Sequence, residues 1–204
     1  MDEASDTYKT IEKPSEEILF KEKKSKFYGY AFPIATEDEV KPILEALKKK
    51  HHTANHICYA WQLGIKNQSY RANDDGEPNN SAGLPIYAQI LSFEVTDVLV
   101  AVARIFGGTK LGVGGLISAY KTGAQMALEN AKIIEKTIQN EFLLTFEYAD
   151  MGKVMRIIKQ EQIDIISQEM ALNCTMTISV RENDAEKVNN IFHTSYGVVI
   201  TEIE

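Results

Sequence analysis

The chain has 204 residues, 44% of them hydrophobic, which is enough for one large domain or two modest ones with their own cores. Its formal net charge of −7 is unevenly distributed. Residues 1–137 carry 17 Lys and Arg against 18 Asp and Glu, whereas residues 138–204 carry 5 against 11. Because phosphate contacts supply most of the affinity for nucleic acid, the acidic second segment is not expected to lie on RNA or DNA.

Three features of the sequence predict a cytoplasmic protein. The first residues are charged, no run approaches the length of a membrane span, and Cys58 and Cys174 are the only cysteines. We therefore expect two small buried thiols and no disulfide framework. No cofactor and no membrane contact are predicted, and the oligomeric state is left open.

The first half mixes predicted strands and helices. Residues 17–32 indicate strands interrupted near Lys23, and a capping-box pattern at Thr36 begins a helix. His56–Gly64 alternates bulky apolar residues with His56, Cys58, Ala60 and Gln62, as a strand with one strongly apolar face does. His56 then lies opposite that face, where it either couples to the acidic loop as an acid or base or binds a backbone carbonyl.

The segment from Arg71 to Pro85 is predicted to be a loop, because it is polar and rich in turn-forming residues. Asp74, Asp75 and Glu77 stand within four positions of it. Packed carboxylates can ligate a divalent cation such as Mg²⁺ or form an acid/base pair. The alternative is structural: carboxylates that bond the backbone of the turn, or that pair with Arg71 or with the arginine at position 104.

The segment from Arg104 to Gly115 places five glycines and two positive charges between a predicted strand, 98–105, and a helix predicted to close near Thr137. Glycine permits positive φ and close backbone approach, so such a cluster marks an unusual turn or a backbone-lined surface. N–H groups at the helix start would hold a phosphate or carboxylate, with Lys110 and Arg104 adding charge-assisted contacts. The spacing matches neither a P-loop nor a dinucleotide fingerprint. The alternative is a bend that only lets the helix pack closely on the sheet.

Residues 138–204 show a regular order of elements. Strands are predicted at 142–148, 163–170, 174–180 and 198–203, with helices beginning near Asp150 and Asn183. This order, β-α-β-β-α-β, predicts a ferredoxin-like domain. Since that fold supports many unrelated functions, it identifies none by itself.

The acidic and glycine-rich segments together resemble the YigZ/Impact family over most of residues 15–137. The shared motifs are His56-x-Cys58, Asp74-Asp75-Gly76-Glu77-Pro78, Ser81-Ala82-Gly83-x-Pro85-Ile86, Arg104-x-Phe106-Gly107-Gly108-x-Lys110-Leu111-Gly112-x-Gly114-Gly115-Leu116 and Ala119-Tyr120. The chain departs from the usual family pattern at Asn80, at Ile105 and at Ser118, where family members carry an arginine.

The resemblance implies a two-domain α+β protein. Residues 1–137 would form an α/β sandwich similar to domain two of small-subunit ribosomal protein five. Residues 138–204 would form a ferredoxin-like domain similar to the C-terminal domain of elongation factor G. Both of these similar proteins function at the ribosome, so the resemblance implies a ribosome-associated role. The eukaryotic relative Impact is a regulator of translation.

The sequence therefore predicts a non-catalytic binding protein of translation or its regulation, whose partner is the ribosome, RNA or a translation-associated protein. The alternative is a metal-dependent enzyme of hydrolase type, acting on a phosphorylated or peptide-like small molecule with a cation at Asp74, Asp75 and Glu77. No residue is assigned as catalytic. The residues predicted to contact the ligand are His56, Arg71, Asp74, Asp75, Glu77, Arg104, Gly107, Gly108, Lys110, Gly112, Gly114, Gly115 and Tyr120.

Overall fold

The computed structural model describes residues 6–203 and divides the chain into two compact units. The first is Tyr8–Lys136, and the second runs from Thr137 onward together with Asp6 and Thr7. Asp6 groups with the second unit because its carboxylate pairs with Arg181 and its carbonyl accepts a hydrogen bond from the Ile138 N–H at 2.7 Å. The predicted boundary, 1–137, placed Asp6, Thr7 and Thr137 in the first domain. The assignment of residues 1–5 and 204 lies outside the described residues.

The chain up to the division forms a five-stranded antiparallel sheet, a two-stranded ribbon and helices. Its elements are β1 (Thr7–Ile11), β2 (Ile18–Glu22), β3 (Ser25–Pro33), α1 (Val40–Lys50), β4 (His56–Leu63), β5 (Ser69–Asn73), α2 (Gly83–Ser92), β6 (Val98–Ile105), α3 (Gly112–Glu129) and β7 (Ile133–Thr137). The sheet has the order β2-β3-β6-β4-β5, and β1 pairs with β7 in the ribbon.

The two faces of the sheet are covered by different helices. Along β4, Cys58 and Ala60 point into the core beneath α2 and α3, while Ile57 and Trp61 point toward α1. This confirms the alternation predicted from the sequence, because successive side chains of a strand face opposite sides. β6 lies at the centre, and its residues from Val98 to Ala103 are fully buried.

The small residues of α3 allow this helix to lie close to the sheet. A Cβ atom on Gly123 would lie 3.3 Å from Val102 Cγ1, and one on Gly29 of β3 would lie 2.5 Å from the Gly123 carbonyl oxygen. Larger side chains at either position would push α3 away from the sheet. The stripe of small residues therefore has a packing role.

Two predictions of element boundaries were wrong. The helix expected to close near Thr137 ends at Glu129, and Ile133–Thr137 is strand β7. The strand that pairs with β7 is β1, which lies more than a hundred residues earlier in the chain. The residues around β7 therefore carry no pattern that predicts this pairing. The predicted Arg71–Pro85 loop also begins within β5, an edge strand with exposed polar residues, and ends within α2.

The second unit has the predicted ferredoxin-like architecture. Its elements are β8 (Gln139–Glu147), α4 (Met151–Gln160), β9 (Asp164–Glu169), β10 (Asn173–Arg181), α5 (Glu182–His193) and β11 (Val198–Ile203). The strand order β11-β8-β10-β9 is that of a split βαβ unit. Apolar residues of alternate strand positions, including Leu144 and Ile178, pack beneath Val154 and Phe192 of the helices. Within residues 6–203, no helix combines the length and apolar character that a membrane crossing requires.

Candidate functional site

Asp74 caps the start of α2. Its Oδ1 accepts hydrogen bonds from the N–H groups of Ala82 at 2.9 Å and Gly83 at 2.8 Å, and its Oδ2 accepts one from Asn80 at 2.8 Å. The first N–H groups of a helix have no partner within the helix, and the helix dipole favours a negative charge there. The carboxylate of Asp74 is thus engaged by the backbone of its own loop.

Replacing Asp74 with alanine is expected to lower the free energy of unfolding by about 2 kcal/mol, because three N–H groups lose their acceptor. Asp74→Asn keeps one acceptor oxygen, so its free energy of unfolding should fall by less. Urea denaturation of the three proteins measures this order. A loss below about 0.5 kcal/mol in the alanine variant, the range of ordinary surface substitutions, would contradict the capping role.

His56 and Asp75 are joined through the backbone. The Nδ1 atom of His56 lies 2.7 Å from the carbonyl oxygen of Asp75, and the Asp75 carboxylate accepts a hydrogen bond from the Ile57 N–H at 2.7 Å. Positive φ angles at Asp75 (42°) and Gly76 (86°) make the tight turn that brings these groups together. His56 is therefore bonded to a backbone carbonyl, and the predicted histidine–carboxylate couple does not form.

The Glu77 side chain accepts hydrogen bonds from two other elements of the domain. Its Oε1 accepts hydrogen bonds from Arg104 Nη1 of β6 at 2.6 Å and from the Tyr120 hydroxyl of α3 at 2.7 Å. The side chains of Glu77 and Arg104 are only 4% and 7% exposed. Burial raises the pKa of Tyr120 and that of the adjacent Cys58 thiol, which keeps both groups protonated and uncharged.

Arg71 lies away from this cluster. It pairs with Trp61 across β4 and β5, and cross-strand partners share a face of the sheet, so Arg71 lies on the α1 side. There its Nη1 contacts Glu37 at 3.2 Å. The structure therefore does not bring Arg71 together with the other predicted site residues. Of the two arginines proposed as partners of the acidic loop, Arg104 is the one that pairs.

The three carboxylates of the acidic loop point to separate partners. Asp74 contacts α2, Asp75 contacts β4, and Glu77 contacts Arg104 and Tyr120. Across residues 6–203, no three His, Cys, Asp or Glu side chains converge in the way a metal site requires. The geometry of the loop thus favours its structural interpretation over cation ligation.

The glycine-rich segment contains two kinds of glycine. Gly107 passes close to the backbone of Lys24, because a Cβ at position 107 would lie 2.0 Å from the Lys24 carbonyl carbon. Gly108 and Gly112 have φ angles of 85° and 77°, which glycine adopts without strain, and they lie in open surroundings. Apart from its chain neighbours and the backbone of its own helix, no described atom lies within 4 Å of the Cβ position of Gly114, so the first turn of α3 is open on that side.

A cleft of about 430 Å³ lies at this open end of α3. It is lined by Asn55, His56, Glu77, Pro78, Arg104, Phe106, Lys110, Leu111, Gly112, Val113 and Leu116. The Phe106 ring is 42% exposed and its centre lies 5.5 Å from the Arg104 guanidinium carbon. Within the described chain, no ion-pair partner is found for Lys110. The cleft therefore combines a free ammonium group, the start of a helix and an exposed aromatic ring.

Apart from Arg71, which lies away from the cleft, the structure sorts the predicted site residues into three groups. Five of them line the cleft: His56, Glu77, Arg104, Lys110 and Gly112. Asp74, Asp75 and Tyr120 do not line the cleft and contact α2, β4 and Glu77 respectively, and the remaining glycines shape the bend before and within the start of α3.

Sequence reasoning missed the apolar lining of the cleft, which Phe106, Leu111 and Val113 provide. The helical pattern gave no signal for Val113. This residue lies seven positions before Tyr120, and so on the face of α3 that carries the buried stripe, yet its side chain is 53% exposed.

Comparison with known proteins identifies the family. The Impact N-terminal domain model matches residues 23–128. The chain is 31% identical over 156 residues to IMPACT family member YvyE of Bacillus subtilis, covering 76% of this chain and 71% of that protein. It is 32% identical over 149 residues to IMPACT family member YigZ of Escherichia coli, covering 72% and 73%.

A solved structure, described as that of a hypothetical protein, extends the likeness to the whole chain. It covers 98% of this chain and 99% of its own, with a TM-score of 0.73 and 25% identity. The match therefore includes the ferredoxin-like unit as well as the unit that carries the cleft. The protein belongs to the IMPACT family.

Proposed function

We propose that this protein is a cytoplasmic, non-catalytic binding protein of translation or its regulation, and that the cleft at the start of α3 contacts RNA of the ribosome. The family supports the first part, since the resemblance to Impact-type proteins implies a role in translation. The second part is supported by the chemistry of the cleft, which offers groups that bind phosphate and groups that bind bases.

The observation that carries the proposal is the free ammonium group of Lys110 beside the open first turn of α3. N–H groups at a helix start and an unpaired lysine both favour a phosphate. Arg104 adds less, because its charge is already compensated by Glu77 at 2.6 Å. The exposed ring of Phe106 provides a surface on which a nucleic-acid base can stack.

Lys110→Glu is expected to abolish co-sedimentation of the purified protein with ribosomal subunits at moderate salt. The milder Lys110→Ala should weaken binding and reduce the slope of log affinity against log salt by about 1, as loss of one phosphate contact does. Sedimentation is measured over a series of salt concentrations with wild type and both variants.

Lys48→Glu is the matched control. Lys48 is exposed on α1, which covers the opposite face of the sheet, so the same charge change leaves the cleft intact. Binding that survives Lys110→Glu but is saturable would place the contact surface elsewhere on the protein. Failure of wild type to sediment with subunits at any salt concentration would remove the ribosome as the partner.

A further inference from the structure

A second cavity, of about 490 Å³, lies between α1 and β3, on the sheet face opposite the cleft. It is lined by Ser15, Glu16, Glu17, Tyr30, Phe32, Ile43, Ala46, Leu47 and Lys50. Phe32, Ile43 and Leu47 form an apolar floor, and the charged residues stand at the rim. A cavity of this volume, with an apolar lining and a few polar groups, is typical of small-molecule binding sites.

The carboxylate of Glu17 is the central polar group of this cavity. Its Oε2 accepts hydrogen bonds from the Tyr30 hydroxyl and from Lys50 Nζ, the latter at 2.9 Å. His51 Nε2 also contacts the Tyr30 hydroxyl and lies 3.5 Å from the same carboxylate oxygen. Since Tyr30 is 4% exposed and the His51 side chain 8%, two buried groups hold Glu17 in place.

Lys50 shows what kind of group the cavity accepts beside Glu17. Its Nζ lies 5.0 Å from the centre of the Tyr30 ring, and that ring stacks on Phe32 with 6.0 Å between centres. A carboxylate and an aromatic face together form a favourable position for an ammonium group. The Lys50 side chain is 55% exposed, so it is able to leave this position for solvent.

We propose that the cavity binds a primary amine carried on a hydrocarbon body. The ligand ammonium replaces that of Lys50 between Glu17 and the Tyr30 ring, and the hydrocarbon lies on Phe32, Ile43 and Leu47. Exchange requires only that the Lys50 side chain, which is 55% exposed, moves into solvent. An anionic ligand is disfavoured, since Glu16 and Glu17 both line the cavity against the single positive charge of Lys50.

Titration of isotope-labelled protein with hexylamine tests this proposal. Saturable shifts are expected in the backbone amide signals of Glu17, Tyr30 and Leu47 in a two-dimensional nitrogen–proton spectrum. Hexanol and hexanoate have the same hydrocarbon without the ammonium, and should bind at least about tenfold more weakly, because they lose the charged contact with Glu17.

Two variants should change the amine affinity in opposite directions. Lys50→Ala removes the internal competitor and should tighten hexylamine binding, whereas Glu17→Gln should weaken it by about tenfold or more. Lys48→Ala and Glu45→Gln alter exposed residues of α1 outside the cavity and should leave the affinity unchanged. The same spectra report whether each variant is folded.

The proposal is overturned if hexanoate binds as well as hexylamine, if Lys50→Ala weakens amine binding, or if the cavity amides do not shift. These outcomes do not depend on the ribosome experiment, because the cavity and the cleft share no lining residue.

Discussion

Replacing Glu77 with alanine is expected to lower the free energy of unfolding by about 3–5 kcal/mol, the typical loss when one partner of a buried ion pair is removed. Arg104 would keep its charge in a site where its side chain is 7% exposed, and its Nε already has no hydrogen-bond partner within residues 6–203. The Tyr120 hydroxyl would lose its acceptor at the same time. Urea denaturation followed by circular dichroism measures the loss.

A double-mutant cycle measures the interaction free energy between Glu77 and Arg104 separately from the cost of changing either residue alone. Arg104→Met replaces the guanidinium with an apolar group of similar length, and Glu77→Gln keeps an oxygen that accepts the Tyr120 hydrogen bond. The double variant should lose less stability than the two single losses added together, because neither charge is then left alone. If the losses in free energy of unfolding were additive, Glu77 and Arg104 would not interact. A loss below about 1 kcal/mol in Glu77→Ala would contradict the burial of the pair.

Gly107→Ala is expected to lower the free energy of unfolding by about 3 kcal/mol, at the upper end of the usual cost of overpacking. The added Cβ would lie 2.0 Å from the carbonyl carbon of Lys24 and 2.1 Å from its oxygen. Both contacts are with backbone, which has no rotamer to adopt. Lys24 also lies in the turn between β2 and β3, where its φ of 68° leaves it little freedom to move.

Gly114→Ala is the matched control from the same segment. Apart from its chain neighbours and the backbone of its own helix, no described atom lies within 4 Å of its Cβ position, and alanine favours helix over glycine by about 1 kcal/mol. This variant should therefore be as stable as wild type or slightly more so, by thermal and urea denaturation. If Gly107→Ala and Gly114→Ala were equally stable, the close contact between Gly107 and Lys24 would not exist in solution.

The acidic loop and the glycine-rich segment form one structure, in which the loop positions the cleft. Glu77 connects the loop to Arg104 of β6 and Tyr120 of α3, so a residue that looks like a catalytic acid holds two elements in register. Asp74 sets the start of α2 in the same way. Lys110 lines the cleft and has no ion-pair partner among the described residues, so its charge is available to a partner.

Local patterns predicted much of the fold. The bounds of β6 and the two faces of β4 follow from apolar runs and alternation, which report burial directly. The order of elements after Thr137 was enough to predict the ferredoxin-like sheet. The α2 helix was missed because its first residues continue a polar, turn-rich segment, and the Asp74 side chain that caps it lies nine residues before Gly83.

The sequence by itself determined the family and the two-domain organisation. Only the tertiary structure decided what the motif residues do: it assigned Asp74 to a helix start, His56 to a backbone carbonyl, Glu77 to Arg104 and Arg71 to the other face of the sheet. The physical reason is distance along the chain. Burial and periodicity depend on neighbouring residues, whereas the partner of a carboxylate or an arginine is set by elements that meet only after folding.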